Sequence, residues 1–217
     1  MTGLLGSKHF ILHKQVAMIQ GHGQQVLVFP VMQCPCLLED RQFSPTCGTC
    51  HGTGRFYPPG QQYTTMLLLH QEDSRREFEE SGTWTHGTIR ASLLPGVRLC
   101  ERDKVRLVDI KDVYTDEVLT RGLDDTVRFT SGVTVLLVAD REQVYRPGVD
   151  YTLSAPATIT WLPTGVMPAF GMQYSVKYEA YCEFLVVNDS PRLRVEHRTV
   201  QSSEVVLMRL DRLSEDW

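Results

Sequence analysis

The chain has 217 residues, of which 42% are hydrophobic and 22% are charged, a composition that is typical of a globular protein and excludes a disordered or collagen-like chain. Its formal net charge of -4 at pH 7 excludes the global basic field on which non-specific nucleic-acid binding depends. No apolar run approaches the roughly 18 residues of a membrane span, and the first residues lack the pattern of a secretory signal. We therefore expect a soluble protein that is made in the cytosol and has no membrane partner.

The first predicted element is a helix over residues 7–20, within an N-terminal arm of residues 1–24. Ser7 can cap the start of this helix with its hydroxyl group, and Gly21 and Gly23 are placed to end it. Its partly one-sided apolar stripe is formed by Phe10, Ile11, Val16 and Ile19. Nearly all of the remaining chain is predicted to be β structure.

Two apolar runs, residues 25–32 and 62–70, are predicted strands of a first β domain that spans residues 25–112. The stretch between them, residues 33–57, is rich in polar residues and cysteines, so we interpret it as an extended hairpin inserted between two strands. Residues 58–60 form a Pro-Pro-Gly turn that closes this insertion. A segment with so few apolar residues needs an additional stabilising element in order to fold.

That element is predicted to be a structural zinc ion. Four of the six cysteines fall within 17 residues as two close pairs, and we predict that all four are ligands: Cys34, Cys36, Cys47 and Cys50. Each pair supplies two thiolates from one turn, and the loop between the pairs can fold the second pair onto the first, which suits tetrahedral zinc. Gly48 and Gly52 permit tight turns that point amide groups at the sulfur atoms.

Other interpretations of these cysteines are weighed against zinc. Disulfides would form if the protein works in an oxidised particle outside the cell. A redox-active pair is disfavoured because the strand–turn–helix context of thioredoxin-like proteins is missing. His51 can replace one cysteine as a ligand, although four sulfur atoms are favoured. The two remaining cysteines, Cys100 and Cys182, stand alone in apolar, strand-like stretches and are interpreted as small hydrophobic residues.

The second cysteine pair belongs to the run Cys47-Gly48-Thr49-Cys50-His51-Gly52-Thr53-Gly54. This run resembles one C-x-x-C-x-G-x-G unit of the DnaJ-type cysteine-rich domain. The likeness covers eight residues and does not repeat, whereas that domain uses four such units, and no J-domain signature accompanies it. We therefore interpret the run as a local zinc knuckle and not as part of a chaperone.

Beyond the hairpin, short predicted strands alternate with turns. A charged stretch over residues 72–80 is interpreted as a solvated face or hairpin tip, and a polar seam over residues 113–130 opens a C-terminal, sandwich-like β domain of residues 113–217. The predicted strands are residues 83–93, 99–109, 133–138, 157–161, 174–178, 181–187 and 205–210. The sequence thus predicts a mainly β protein with β-barrel or β-sandwich units, a short N-terminal helix and an inserted zinc-binding hairpin.

The second half of the chain carries a pattern of turn and aromatic residues. The pattern is Tyr145-x-x-Gly148-x-Asp150-Tyr151, Ile159-x-Trp161 and Pro168-x-x-Gly171-x-x-Tyr174-x-Val176-x-Tyr178. It resembles a pattern found in neck, baseplate and tail-appendage proteins of tailed-bacteriophage virions. Apart from this resemblance, Gly148 and Gly171 suit tight turns, Asp150 can accept hydrogen bonds from turn amides, and Trp161 and the tyrosines can fill a small β core.

The first half resembles proteins of the head-to-tail junction of contractile-tailed phages. The likeness lies in a cysteine hairpin followed by Gly52-Thr53-Gly54-Arg55-Phe56-Tyr57 and in Leu94-Pro95-Gly96-Val97-x-Leu99-x-x-x-Asp103-x-Val105-x-Leu107. The resemblance implies a structural virion protein, namely a ring-forming neck component (connector, collar or head-closure protein) between the portal side of the capsid and the tail. The implied partners are copies of the chain in a homo-oligomeric ring, other neck, portal and tail proteins, and DNA in the channel.

Two alternative functions and the enzyme hypothesis are ranked below this one. A baseplate or tail-appendage attachment protein fits the same resemblance. A zinc-ribbon nucleic-acid-binding protein would need more positive charge, because the metal loop from Cys34 to Cys50 carries one basic residue, Arg41, with Arg55 just outside it. No phosphate-binding glycine loop, H-E-x-x-H motif or supported nucleophile is found, so we do not expect an enzyme. The expected location is the virion.

Overall fold

The computed structural model of the chain describes residues 5–36, 43–70, 88–188, 195–196, 199–200 and 204–212. This part of the chain is mainly β, as the sequence predicts. Its elements are α1 (Leu5–His22), β1 (Gln24–Phe29), β2 (Met32–Gln33), β3 (Arg55–Phe56), β4 (Tyr63–His70), β5 (Thr88–Leu93), β6 (Lys104–Thr120), β7 (Thr134–Ala139), β8 (Val144–Tyr145), β9 (Tyr151–Ser154), β10 (Thr158–Trp161), β11 (Gln173–Asn188), β12 (Val195–Glu196), β13 (Thr199–Val200), β14 (Glu204–Arg209) and a 3-10 helix, η1 (Leu210–Arg212). The charged stretch predicted over residues 72–80 lies outside the described residues.

Helix α1 confirms the predicted N-terminal helix. It ends where the Gly23 amide donates a hydrogen bond to the Ile19 carbonyl at 2.8 Å, and the Ile19 side chain is buried. Ser7 lies inside the helix and not at its N-cap. Within the described residues, no helix is long and apolar enough to cross a membrane.

The chain divides into two compact units. Unit 1 comprises Met1–Val108 and Glu183–Trp217, and unit 2 comprises Asp109–Cys182. The sequence instead groups all of residues 113–217 in one C-terminal domain. The assignments differ because β14, near the end of the chain, pairs with β5 and so belongs to the unit that contains the N-terminal half.

Unit 1 is built around a six-stranded barrel. The strands follow the order β14, β5, β4, β1, β6 and β11, and the pairing of β11 with β14 closes the barrel. Strand β6 contributes residues 104–108 to this barrel, and β11 contributes residues 183–188. In β1, β5, β6 and β14, alternate side chains are buried in the interior, as in other small barrels. The buried residues of these strands include Val26, Val28, Leu67, Ala91, Leu93, Val105, Leu107, Val186, Val205 and Leu207.

Unit 2 has a core of aromatic residues. The Trp161 ring packs edge-on against the rings of Tyr145 and Tyr174, with centroid distances of 4.9 and 5.1 Å. A second group stacks Tyr114 on Phe129 and on Tyr178, with centroid distances of 4.6 and 5.4 Å. The core predicted for Trp161 and the tyrosines is therefore confirmed, although its members divide into two groups.

Hydrogen bonds to carboxylates hold the turns and tyrosines of unit 2. Asp150 is buried and accepts hydrogen bonds from the amides of Arg146 at 2.7 Å and Val166 at 2.9 Å, as its position in the turn predicts. The Tyr174 hydroxyl donates to Asp125 at 2.6 Å. Asp140 accepts hydrogen bonds from the Glu142 and Gln143 amides and from the Tyr145 hydroxyl. These polar side chains act as structural connections.

The start of β6 differs from the strand predicted over residues 99–109. The strand begins at Lys104, because the preceding residues form a turn around the buried Asp103 carboxylate, which accepts hydrogen bonds from the amides of Cys100 and Val31 at 2.8 Å each. Cys100 is consequently exposed in this turn, whereas the sequence places it in a strand.

Candidate metal centre

Four cysteine sulfur atoms form a cluster in unit 1. The Sγ atoms of the four predicted ligands all lie within 4.8 Å of one another, and these residues are Cys34, Cys36, Cys47 and Cys50. The Cys34–Cys47 and Cys36–Cys50 Sγ distances are 3.7 and 3.4 Å. Sulfur atoms at the corners of a tetrahedral zinc site are about 3.8 Å apart, given zinc–sulfur bonds of about 2.3 Å, whereas a disulfide is about 2.05 Å long. All four cysteines are free thiols, and the cluster has the dimensions of a metal site.

A two-stranded ladder positions the first cysteine pair. Strand β2 pairs with β3, with Gln33 opposite Arg55, and the Cys34 amide donates a hydrogen bond to the Gly54 carbonyl at 2.7 Å. Cys34 is thereby held next to Gly54, which follows the second cysteine pair in the sequence. Residues 32–56 are called the cysteine hairpin below.

Tight turns position the second cysteine pair. The His51 amide donates to the Cys47 carbonyl at 2.8 Å, and the Thr53 amide and hydroxyl donate to the Cys50 carbonyl at 2.9 and 2.6 Å. His51 and Gly52 adopt left-handed backbone angles, with φ of 48° and 86°. The His51 side chain is exposed and is not part of the metal-capable group found among the described residues, which consists of the four cysteines.

The backbone around the second pair also sets the charge of the sulfur atoms. Hydrogen bonds from the amides of Cys50 and Thr49 lower the pKa of Cys47 to about 6. Burial and the hydrogen bond with Cys50 raise the pKa of Cys36 to about 12. The backbone amides therefore favour the thiolate form of Cys47, whereas burial favours the thiol form of Cys36. A metal ion would favour the thiolate form of its ligands, and its binding would release protons.

Gly54 brings the two arms of the hairpin close together. Its φ is 71°, in the left-handed region that glycine tolerates, and a Cβ atom at this position would lie 2.3 Å from the Phe43 ring. Glycine is therefore required here for two independent reasons, one conformational and one steric.

Charged and aromatic side chains attach the hairpin to the barrel of unit 1. The Tyr57 hydroxyl donates a hydrogen bond to the Arg102 carbonyl at 3.1 Å. The Lys104 ammonium lies 5.4 Å from the centroid of the Tyr57 ring and 4.7 Å from that of Phe29, and 3.6 Å from a carboxylate oxygen of Glu183. These residues are distant in sequence, and the local patterns that reveal the cysteines give no signal for them.

The fold and the site define a mainly β protein whose barrel unit carries a four-cysteine hairpin that could bind a metal ion. Residues 77–212 match a protein family described as a domain of unknown function, DUF4815. The chain therefore belongs to the DUF4815 family. No curated protein matches the chain. The matched segment contains all of unit 2 together with strands that close the barrel, whereas the cysteine hairpin precedes it.

Proposed function

We propose that this protein is a structural component of a tailed-phage virion, a ring-forming neck protein, whose cysteine hairpin is a zinc-stapled contact arm. The observation that carries the proposal is the clustering of four free thiols within 4.8 Å of one another on a hairpin whose described residues form almost no core. Among the described hairpin residues, only Cys34, Cys50 and Gly54 are buried. Zinc in this cluster would supply the rigidity that hydrophobic burial supplies elsewhere.

The donor set favours zinc over other common metal ions. Four thiolates are soft ligands, and a tetrahedral set of four sulfur atoms is typical of zinc or iron. Magnesium and calcium require oxygen ligands and are excluded by the donors in this cluster. All four positions are taken by protein, so no coordination site is left for a substrate, as in structural zinc sites.

The residues that carry the resemblance to phage proteins support an architectural role. Gly148 and Gly171 adopt φ angles of 75° and 79°, Asp150 holds two turn amides, and Trp161 lies in an aromatic group. Each of these residues stabilises the fold of unit 2. A sequence pattern whose residues all stabilise the fold is expected of a protein that assembles with others, since such a protein needs a rigid shape.

Exposed apolar side chains on unit 2 support association with other subunits. Leu123 and Phe170 are each 72% exposed. Other exposed members are Val118, Val144, Val166 and Met172. Contiguous exposed apolar patches mark interaction sites, and these side chains are available for subunit contacts. In a ring these side chains would lie against neighbouring subunits.

The experiment is elemental analysis of the purified, reductant-treated protein, with the mass in solution measured by light scattering on the same sample. We expect one zinc per chain, no iron, and a mass that is a multiple of the 24.7 kDa subunit. Cys50→Ser should abolish zinc retention, and Cys100→Ser, which changes an exposed cysteine outside the cluster, should retain it. A metal-free protein would contradict the zinc staple, and a zinc-loaded monomer would contradict the ring.

A further inference from the structure

A cavity of about 450 Å³ lies at the base of the cysteine hairpin, within unit 1. Among the described residues, its lining contains two arginines, an amide and a hydroxyl group together with apolar side chains, and no carboxylate. The lining residues are Val31, Met32, Gln33, Phe43, Thr53, Gly54, Arg55 and Arg102. A cavity of this size accommodates a large side chain with its neighbour, or a small ligand.

Two arginines supply positive charge to the described lining of the cavity. The Arg55 side chain is exposed, and its guanidinium forms no ion pair with any residue in the described ranges. Arg102 has a φ of 70°, a left-handed conformation that is unfavourable for a non-glycine residue, and this turn places it in the lining. The neighbouring Asp103 uses both carboxylate oxygens to accept hydrogen bonds from the amides of Val31 and Cys100.

The opposite side of the cavity is apolar. Val31, Met32 and Phe43 supply it, and Met32 is 53% exposed. Guanidinium groups bind carboxylates through paired hydrogen bonds and also stack on aromatic rings. The lining therefore selects an acidic side chain that is followed closely by a large apolar or aromatic side chain.

The chain contains a segment with this chemistry. Glu215-Asp216-Trp217 places two carboxylates next to an indole. We propose that the cavity is the docking site for the Glu215-Asp216-Trp217 segment of a second copy of this chain. The carboxylates bind Arg55 and Arg102, and the indole packs against the apolar wall. Because the cavity and the segment are different surfaces of the same molecule, this contact repeats head to tail and can close a ring. The inference deepens the proposed function by naming the contact, and it requires the hairpin in its metal-bound form.

The test measures binding of a fluorescein-labelled peptide of residues 211–217 by fluorescence anisotropy. The receptor is the full chain, loaded with zinc, in which Glu215→Gln, Asp216→Asn and Trp217→Ala remove competition from its own segment. We expect saturable binding that weakens at least tenfold when the receptor also carries Arg55→Ala. Arg98→Ala changes an exposed arginine outside the cavity and should leave the affinity unchanged. A peptide with Glu215→Gln and Asp216→Asn should bind at least tenfold more weakly.

The position of Arg102 is tested with Arg102→Gly, because glycine keeps the left-handed turn and removes only the guanidinium. This variant should also weaken binding at least tenfold. A scrambled peptide of the same composition that binds equally well would overturn the proposal, as would an affinity that is indifferent to both arginines. If the protein with the native segment forms an assembly, an unchanged assembly mass after the triple change would overturn it too, since the contact should then be lost.

Zinc content and mass, measured on the same samples, separate this inference from the proposed function. A zinc-loaded ring that neither binds the peptide nor depends on Glu215-Asp216-Trp217 would refute the docking contact and leave the neck proposal standing. Peptide binding that depends on Arg55 in a protein without ring-sized mass would retain the docking chemistry and contradict the ring. A monomer whose own segment blocks the peptide, with binding restored by the triple change, would show docking within one chain and overturn the contact between copies.

Discussion

The cysteine hairpin and unit 2 are both short β segments rich in turns, yet different forces hold them. Few of the described hairpin residues are buried, and its four cysteine sulfur atoms lie close together. Unit 2 buries two aromatic groups and ties its tyrosines to carboxylates. A hairpin of some 25 residues is too small to bury a hydrophobic core, so it needs a local cross-link such as a metal ion. A unit about three times as long can bury a core of its own.

Metal removal should separate the two regions most strongly. Structural zinc contributes on the order of 10 kcal/mol or more to the segment that binds it, so chelation should unfold the hairpin and leave unit 2 folded. Hydrogen-exchange mass spectrometry before and after chelation measures this. Protection should be lost in residues 32–56 and unchanged in residues 109–182. Equal loss of protection in both regions would mean that the metal stabilises unit 2 as much as the hairpin.

A matched pair of glycine substitutions tests how tightly the hairpin closes. Gly54→Ala combines a left-handed φ of 71° with a clash against the Phe43 ring, whereas Gly60→Ala has a φ of 75° and open space around the new Cβ. Gly60→Ala should cost about 1–2 kcal/mol from its backbone alone. Gly54→Ala should cost measurably more and weaken zinc retention in a competition with a colorimetric chelator. Equal effects at the two sites would show that Phe43 moves aside freely.

Removal of one tyrosine hydroxyl tests the polar support of unit 2. The buried Tyr178 hydroxyl donates to Glu117 and accepts from the Phe129 amide at 3.4 Å. Tyr178→Phe leaves both groups without this partner and should lower the free energy of unfolding by about 1–3 kcal/mol in urea titrations. Tyr63→Phe removes a single hydrogen bond, to the Arg98 carbonyl at an exposed site, and should cost less. A smaller loss for Tyr178→Phe would contradict this account.

Mild acid should have the smallest effect, and it should fall on unit 2. Hydrogen bonds from the Arg146 and Val166 amides lower the pKa of Asp150, and the hydrogen bond from Tyr145 lowers that of Asp140. A carboxyl group with a depressed pKa contributes stability that is fully present above its unfolded pKa of about 3.9 and is lost as the pH falls through its folded pKa.

The urea midpoint of unit 2 should therefore be flat between about pH 7 and pH 5 and fall below about pH 4. Asp140→Asn cannot titrate, so it should flatten the acid limb while lowering the midpoint at neutral pH. The series is run on chelated protein, so that acid-driven loss of metal from the hairpin does not contribute. An unchanged acid limb in Asp140→Asn would exclude this carboxylate as a source of the pH dependence.

Local patterns explain which parts of the fold the sequence predicts. Helix α1 and most strands follow from apolar periodicity, and the four cysteines are close in sequence, so their cluster is predictable from spacing alone. The final strand β14 is also predicted, because its inward positions Val205 and Leu207 alternate with less buried ones.

Features that depend on distant residues escape a local pattern. The turn before β6 exists because Asp103 reaches the amide of Val31, which is 72 positions away. Strand β6 continues to Thr120 through the predicted polar seam. The sequence does not reveal this continuation, because half of the side chains of residues 113–120 are exposed and the buried ones do not alternate regularly. Residues 31–33 and Arg102 line the same cavity, but the local sequence at neither position indicates that they are close in space.

The insertion of unit 2 between the two parts of unit 1 imposes an order on synthesis at the ribosome. Unit 2 is complete in sequence at Cys182, but the barrel waits for Glu204–Arg209, the strand that pairs with both β5 and β11. At about 5–20 residues per second, the ribosome takes roughly 1–5 seconds to cover that distance. During those seconds the edge of β5 that pairs with β14 has no partner, and unit 2 can fold first. An unpaired strand edge is prone to aggregation, so this interval is the time in which a chaperone can protect the open barrel.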